Sequence, residues 1–203
     1  MNIKNIMNFK KYKTISTALI AACFFVAGCS DSPSSAPAPA AAKTPVTIEA
    51  ITAEAKGFTF GSPMSARTVY VFFDAQCPHC GTLWYAAKPL KSQAKFIWIP
   101  VGILNAASTS QGAAILAAAD PVAAMDSHET SMLAKSGGIS EAANTETQKD
   151  AIKKNTVLMN RFRFASIPSV VAVNSKTGAV VTHEGALPTA ELADFLGLQV
   201  PTP

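Results

Sequence analysis

The sequence predicts one α/β domain built around a central mixed sheet. Residues 68–73 form a short run of β-branched and aromatic residues that is typical of a buried strand, and residues 96–101 form a second such run. The segment between them has apolar residues at helical spacing, so the three together predict a parallel β-α-β unit. Two later apolar runs, separated by a turn, predict an antiparallel hairpin.

The composition is that of a globular protein with appendages. The chain has 203 residues, of which 49% are hydrophobic and 15% are charged. This length suffices to bury a core without disulfide bonds, and the apolar fraction excludes a disordered protein. The sequence has no run of 18 or more apolar residues that would predict a membrane span in the mature protein.

The positive net charge comes from the amino terminus. The chain carries 17 Lys and Arg against 13 Asp and Glu, and four of the lysines lie within residues 1–28, where there is no Asp or Glu. Without that segment the charges balance, which gives no electrostatic reason to expect nucleic acid as a partner.

Residues 1–28 have the three parts of an export signal. A lysine-bearing start is followed by an apolar stretch from Ile15 to Val26 and then by small residues. Val26-Ala27-Gly28-Cys29 resembles the bacterial lipobox, which implies cleavage before Cys29 and a lipid on that cysteine. An ordinary signal with an incidental cysteine, or an uncleaved anchor, is the alternative. Ser30 after the cysteine favours the outer membrane over the inner one.

A proline-rich linker separates the signal from the folded domain. Residues 29–45 are rich in Pro, Ala and Ser and are predicted to extend up to ~50 Å, which leaves residues 46–203 for the domain. Since Cys23 lies in the signal and Cys29 would be lipidated, only Cys77 and Cys80 remain as free thiols.

The helix that opens at Cys77 is expected to run to about residue 90, with a kink or an early end at Pro89. Leu83 and Trp84 lie on its apolar face, and both Trp84 and Trp98 are expected to pack in or near the core.

An Ala-rich helical insertion is predicted at about 105–147. One helix occupies 110–119, and a second begins at Asp120-Pro121, with the aspartate as cap, and ends at Gly137-Gly138. Thr147 is predicted to cap the next helix.

The last predicted elements are a β-hairpin and a carboxy-terminal helix. SVVAV after Pro168 and AVVTH after a turn predict the hairpin strands, and residues 189–196 predict a last helix ended by Gly197. The order is β-α-β, helical insertion, α-β-β-α, with Cys-x-x-Cys at the first strand-to-helix junction. This order resembles the thioredoxin fold carrying an insertion.

The motif Cys77-Pro78-His79-Cys80 predicts disulfide exchange. A helix amino terminus presents unpaired N–H groups and the positive end of the helix dipole, which favour a thiolate. Cys77 is therefore the predicted nucleophile, with a pKa below that of a free thiol, and Cys80 the resolving thiol. His79 adds positive character beside Cys77, and Pro78 favours the start of the helix.

Other uses of a close cysteine pair need features that the sequence lacks. A structural disulfide across so short a loop would stabilise the fold little. Zinc needs two further ligands, and haem attachment needs a histidine after Cys80, where Gly81 stands. We therefore expect neither a metal nor an organic cofactor.

The sequence also predicts the surroundings of several other side chains. His128 and His183 are predicted to be solvated surface residues. Val71 stands where thioredoxins carry a buried acid near the resolving cysteine, so another group or water must accept that proton. Ile167-Pro168 stands where the thioredoxin fold has a cis proline against the Cys-x-x-Cys, with an ordinary trans turn proline as the alternative.

Five segments carry a closer resemblance. They are VYVFFDAQCPHC at the site, LWYAAKPL along its helix, IPVGIL, GAAILAAADPVAA and HEGALPTAELADFLG. Together with the cis-proline strand they resemble the catalytic domain of the DsbC/DsbG thiol:disulfide interchange proteins, DsbG most, over about 68–197. The resemblance implies that Cys77 is the nucleophile, that Cys80 resolves, and that Ile167-Pro168 contacts the substrate backbone.

Three features depart from that family. Its members carry an amino-terminal dimerisation domain, whereas only residues 46–67 stand here between the linker and the first predicted strand, so we expect a monomer. Pro78-His79 is the dipeptide of the oxidase DsbA rather than the Pro-Tyr common in DsbG. Ile167 replaces the Thr usual before the cis proline.

The sequence thus predicts a lipid-tethered, periplasm-facing thiol:disulfide oxidoreductase. The favoured direction is reductive, on cysteines of exported proteins, with electrons supplied by a membrane thiol partner. A DsbA-like oxidase is the alternative supported by Pro78-His79. A redox-inert binding lipoprotein and a copper metallochaperone using Cys77 and Cys80 are the rivals from other classes.

Overall fold

A computed structural model of the chain describes residues 45–201. The predicted export signal, the lipidation at Cys29 and the linker up to residue 44 lie outside these residues.

The described residues contain five strands and six α-helices. The strands are β1 (Phe58–Gly61), β2 (Thr68–Asp74), β3 (Lys95–Val101), β4 (Ser169–Val173) and β5 (Val180–Glu184). The helices are α1 (Ile48–Glu54), α2 (Pro78–Ala87), α3 (Ala106–Ala117), α4 (Pro121–Leu133), α5 (Glu146–Arg161) and α6 (Thr189–Leu196).

The strands form one mixed sheet in the order β1-β3-β2-β4-β5. Strands β2 and β3 are parallel, and the other neighbours are antiparallel. Every residue of β2 after Thr68 is buried, which explains its continuous apolar run. The predicted mixed sheet, β-α-β unit and hairpin are confirmed.

Two elements precede the first strand that the sequence analysis predicted. Residues 46–67, to which it assigned no helix or strand, contain α1 and β1. The four-residue strand β1 pairs antiparallel with β3 and closes one edge of the sheet. Helix α1 is capped by Thr47 and is joined to α5 by a bidentate ion pair between Glu54 and Arg161.

The helix that follows Cys77 ends where proline was expected to interrupt it. The α-helical part stops at Ala87, and residues Lys88–Leu90 continue as one 3₁₀ turn that contains Pro89. Trp84 and Trp98 are both fully buried, with ring centroids 5.0 Å apart in an edge-on arrangement. Their predicted core position is confirmed.

The insertion has the predicted helices with shifted ends. Helix α3 starts at Ala106 rather than residue 110, because Asn105 and Ser108 form a capping box that the sequence analysis did not recognise. Asp120 caps α4 as predicted and accepts hydrogen bonds from the first N–H groups of the helix. Helix α4 ends at Leu133, before the predicted Gly137-Gly138, and α5 starts at Glu146 after Thr145.

Candidate active site

The cysteine pair lies at the carboxyl end of the central strand, where α2 begins. Cys77 is the N-cap residue of α2, Pro78 occupies the first helical turn, and Cys80 lies one turn further in. The backbone N–H of Cys77 donates to the Asp74 carbonyl at 3.0 Å, which closes the turn between strand and helix. Both cysteines are free thiols in this structure.

The two thiols lie at different depths. Cys77 keeps 5% of its surface exposed, whereas Cys80 has none. Pro78 and His79, between them, are exposed. An external sulfur can therefore approach Cys77 from the side of Pro78 and His79. Cys80 is shielded from solvent and contacts only other atoms of the protein, Cys77 among them.

Their surroundings also separate their acidities. The pKa of Cys77 is lowered to about 7, chiefly because the Cys80 thiol donates a hydrogen bond to it. Burial opposes this lowering, whereas the backbone N–H groups of Cys80 and His79 assist it. Burial and the neighbouring Cys77 raise the pKa of Cys80 well above its usual value. Near neutral pH about half of the Cys77 side chains are therefore thiolates, whereas Cys80 keeps its proton.

The chain returns to the cysteines at the start of β4. The Ile167-Pro168 peptide bond is cis, as the sequence predicted. The Cys77 sulfur lies 3.7 Å from the Ile167 carbonyl oxygen and donates to it when Cys77 is protonated. The structure thus brings Cys77 and Ile167 together although they are 90 residues apart in the chain.

A buried carboxyl group to which the sequence analysis assigned no role organises the site. Asp74 is fully buried at the end of β2. Its Oδ1 accepts from the N–H of Gln76 at 2.9 Å, and its Oδ2 accepts from Ile103 at 2.8 Å and Leu104 at 3.1 Å. Asp74 therefore fixes the loop before Cys77 to the loop that follows β3.

The prediction for His128 is wrong. This side chain is fully buried rather than solvated, because its ring nitrogens make inward hydrogen bonds. Its Nε2 lies 2.6 Å from the Ala75 carbonyl, and its Nδ1 accepts from the N–H of Ile139 at 3.2 Å. Burial lowers the pKa of His128, so the neutral ring ties the insertion to the site. His183 is half-buried against Phe195.

Glu129, the neighbour of His128, is the acid that the sequence analysis missed. It is only 2% exposed, and its Oε1 has no hydrogen-bond partner within the described residues. Its Oε2 lies 2.2 Å from where a Cβ on Gly81 would stand, so the carboxyl group occupies space that only glycine leaves open. Burial, and then the charge of Cys77, raise the pKa of Glu129 to about 8. Val71, for which the sequence analysis noted the missing buried acid, is itself buried.

Neither a metal-binding cluster nor a membrane-spanning helix is found among the described residues. Within residues 45–201, no three His, Cys, Asp or Glu side chains are grouped closely enough to hold a metal ion. No helix in the same range is both long enough and apolar enough to cross a membrane.

Comparison with known proteins agrees with this geometry. No family model matches the chain. The thiol:disulfide interchange protein DsbG of Pseudomonas aeruginosa is 31% identical over 143 residues, which is 68% of this chain and 54% of that protein. The chain is therefore similar in sequence to a thiol:disulfide interchange protein of the DsbG type. The chain spans about half the length of this curated relative.

Solved structures support the fold. A periplasmic thioredoxin-like protein from Salmonella enterica serovar Typhimurium aligns with a TM-score of 0.58 at 15% identity, over 76% of this chain and 97% of that one. The catalytic domain of Proteus mirabilis ScsC aligns with a TM-score of 0.55 at 14% identity, over 73% and 96%. At these identities the likeness shows the thioredoxin fold, which confirms the predicted fold class.

The hydrogen bond from Cys80 should set the acidity of Cys77. Because it is the largest cause of the lowered pKa, we expect Cys80→Ala to raise the Cys77 pKa by about one unit or more. Cys80→Ser keeps a hydroxyl donor and serves as the matched control, with a smaller rise. The thiolate absorbance of each reduced protein as a function of pH measures this. Equal pKa values in wild type and Cys80→Ala would contradict the assignment.

Glu129 should make stability fall with rising pH. Its pKa is about 8 in the folded protein against 4.5 for a solvated glutamate side chain, so folding favours the protonated form. The stabilisation is complete below the lower value and is lost as pH rises toward the higher one, by about 2 kcal/mol between pH 5 and pH 7. Glu129→Gln should remove this slope.

Urea unfolding of the reduced proteins at both pH values tests the Glu129 slope. The exposed Glu191→Gln provides a matched control that should keep the wild-type difference. If Glu129→Gln shows the same pH difference as wild type, the buried carboxyl group does not titrate as described.

Proposed function

We propose that the protein is a periplasm-facing thiol:disulfide oxidoreductase that acts through a mixed disulfide on Cys77, resolved by Cys80. This proposal rests on one observation. The acidic thiol of Cys77 lies at the amino terminus of α2, and the protonated thiol of Cys80 lies deeper in the protein, one turn along the helix. The sequence relationship to DsbG supports the same chemistry.

The exchange proceeds in two balanced steps. The Cys77 thiolate attacks one sulfur of a substrate disulfide; a Cys77–substrate bond forms, the substrate disulfide breaks, and one substrate sulfur leaves as a thiolate. Cys80 then loses its proton and attacks the Cys77 sulfur. The Cys77–Cys80 disulfide forms, the second substrate thiolate leaves, and two electrons have passed to the substrate.

The substrate chain is proposed to lie against Ile167 and Pro168. The Ile167 carbonyl oxygen lies 3.7 Å from the Cys77 sulfur, so a peptide strand pairing with that backbone would bring its own sulfur close to the attacking atom. Exposed Pro78 and His79 would form the other side of the approach.

The proposed direction is reductive, toward cysteines of exported proteins. The relationship to DsbG favours it, and it requires an electron-donating thiol partner at the membrane. The alternative is a DsbA-like oxidase, and the lowered pKa of Cys77 specifically favours that alternative. A stabilised thiolate stabilises the reduced pair, which makes the disulfide a stronger oxidant, with ~30 mV for each ~1.4 kcal/mol.

The proposed location is the periplasm, with the domain tethered by a lipid on Cys29, in the outer membrane rather than the inner one. The export signal and lipobox at residues 1–29 support the tether. A solved structure of similar fold is named as a periplasmic thioredoxin-like protein. We further propose that the domain acts as a monomer.

Insulin-disulfide reduction tests the chemistry. Cys77→Ser removes the nucleophile, so we expect activity to fall at least about 10²-fold. Cys80→Ser should instead trap the mixed disulfide, which electrophoresis without reductant detects. Equal activity of wild type and Cys77→Ser would favour a redox-inert binding protein. Copper retained by the reduced wild type but lost from both variants would favour a metallochaperone.

The redox state in living cells tests the direction. We expect Cys77 and Cys80 to be mainly reduced, because a reductase is maintained by its electron donor. Acid quenching followed by alkylation of free thiols measures the fraction, with Cys80→Ser as a marker of the one-thiol species. A mainly oxidised pair would overturn the reductive direction in favour of the oxidase.

A further inference from the structure

The second step of the proposed exchange needs a proton acceptor inside the protein. Cys80 must become a thiolate to attack Cys77, yet its side chain is fully buried and burial raises its pKa. Bulk water therefore has no direct access to this proton. The position that holds a buried acid in thioredoxins is Val71 here, which cannot accept it.

The other titratable groups around the pair are already engaged or exposed. Asp74 accepts three backbone hydrogen bonds that hold the loops together. Both ring nitrogens of His128 are occupied by backbone partners. Asp126, on the same helix as His128, accepts from the Trp84 indole at 2.7 Å and pairs with Lys88. His79 is exposed to solvent.

Glu129 is the buried acid with a free acceptor atom. Helix α4 places its carboxyl group over Gly81, the residue that follows Cys80, with Oε2 in the space of the missing Cβ. Its Oε1 is buried and has no hydrogen-bond partner among the described residues. A buried carboxyl oxygen without a partner is costly, which indicates a use other than stability.

We propose that Glu129 is the proton acceptor for Cys80 during resolution, which deepens the proposed oxidoreductase function and rests on it. The Cys80 S–H proton passes to the Glu129 carboxylate as Cys80 attacks the Cys77 sulfur of the mixed disulfide. The new Cys77–Cys80 bond forms, the bond to the substrate breaks, and the substrate thiolate takes a proton from solvent. In the reverse direction Glu129 returns the proton to Cys80.

The charge of Cys77 changes the proton affinity of Glu129 between the two steps of the exchange. In the reduced protein, the Cys77 thiolate raises the pKa of Glu129, in addition to the larger effect of burial. In the mixed disulfide that negative charge is gone, so the carboxylate becomes easier to form. Glu129 is thus most ready to accept a proton at the step where Cys80 has to release one.

Single-turnover kinetics separate this role from a structural one. Mixed-disulfide formation is measured in the Cys80→Ser background with a fluorescent disulfide peptide, and resolution is measured with both cysteines present. Glu129→Gln should leave formation within about twofold and slow resolution roughly 10²-fold. Its resolution rate should also lose the pH dependence that titration of Glu129 is expected to give the wild type. The midpoint of that dependence should lie below the reduced-state pKa of about 8, because the Cys77 charge is absent from the mixed disulfide.

Two further variants distinguish loss of the Glu129 proton acceptor from a structural change in α4. Glu129→Asp retains a titratable group and should restore part of the resolution rate and its pH dependence. Asp126→Ala loosens the same helix by removing the bond to Trp84, and it should leave the pH profile unchanged. Thermal melting checks that each variant folds.

The outcomes distinguish this inference from the function on which it rests. Resolution by Glu129→Gln at the wild-type rate and with the wild-type pH profile would overturn the role of Glu129, with the oxidoreductase intact. If the Cys80→Ser variant with Glu129 intact forms no mixed disulfide, the proposed oxidoreductase function itself is overturned.

Discussion

The buried carboxylate of Asp74 is the interaction on which the cysteine site depends. At the end of β2 the sheet no longer supplies partners to the backbone, and Asp74 replaces them by accepting N–H groups from the loops on both sides. Each of these amides would otherwise be left unsatisfied, at a cost of about 1–3 kcal/mol where it is buried. Together with the hydrogen bond from His128 to the Ala75 carbonyl, the Asp74 side chain fixes the start of α2, and hence Cys77, relative to the sheet.

Depth along α2 gives the two cysteines different roles. The three-residue step from Cys77 to Cys80 is almost one helical turn, so one sulfur caps the helix and the other points into the core. The outer sulfur receives hydrogen bonds that stabilise a thiolate, and the inner sulfur is desolvated and keeps its proton. The same short motif therefore supplies both a nucleophile and a donor that activates it.

The helical insertion is part of the site rather than an addition to its outside. Its helix α4 contacts the cysteine segment through neighbouring residues with separate tasks. His128 holds the Ala75 carbonyl, Glu129 fills the space over Gly81, and Asp126 binds the indole of Trp84. A thioredoxin fold that has an apolar residue at Val71 thus obtains its buried acid from a different element.

The sequence by itself determined four of the five described strands, the cysteine pair and the position of the cis proline. The strands and the cysteine pair follow from local signals, namely apolar runs and Cys-Pro-His-Cys at a strand-to-helix junction. The cis proline followed from the resemblance to the thioredoxin fold, which places one directly before the strand SVVAV. Asp120-Pro121 likewise marked the start of α4, because capping acts within one turn of a helix.

Only the tertiary structure decided which polar residues became internal. MDSHETS reads as a solvated helix, since nothing local distinguishes an inward His128 or Glu129 from an exposed one. Their burial follows from α4 packing over Gly81 and the end of β2, contacts between residues that are tens of positions apart. Asp74 is similar, because its partners at Ile103 and Leu104 adjoin it only after β3 has paired beside β2.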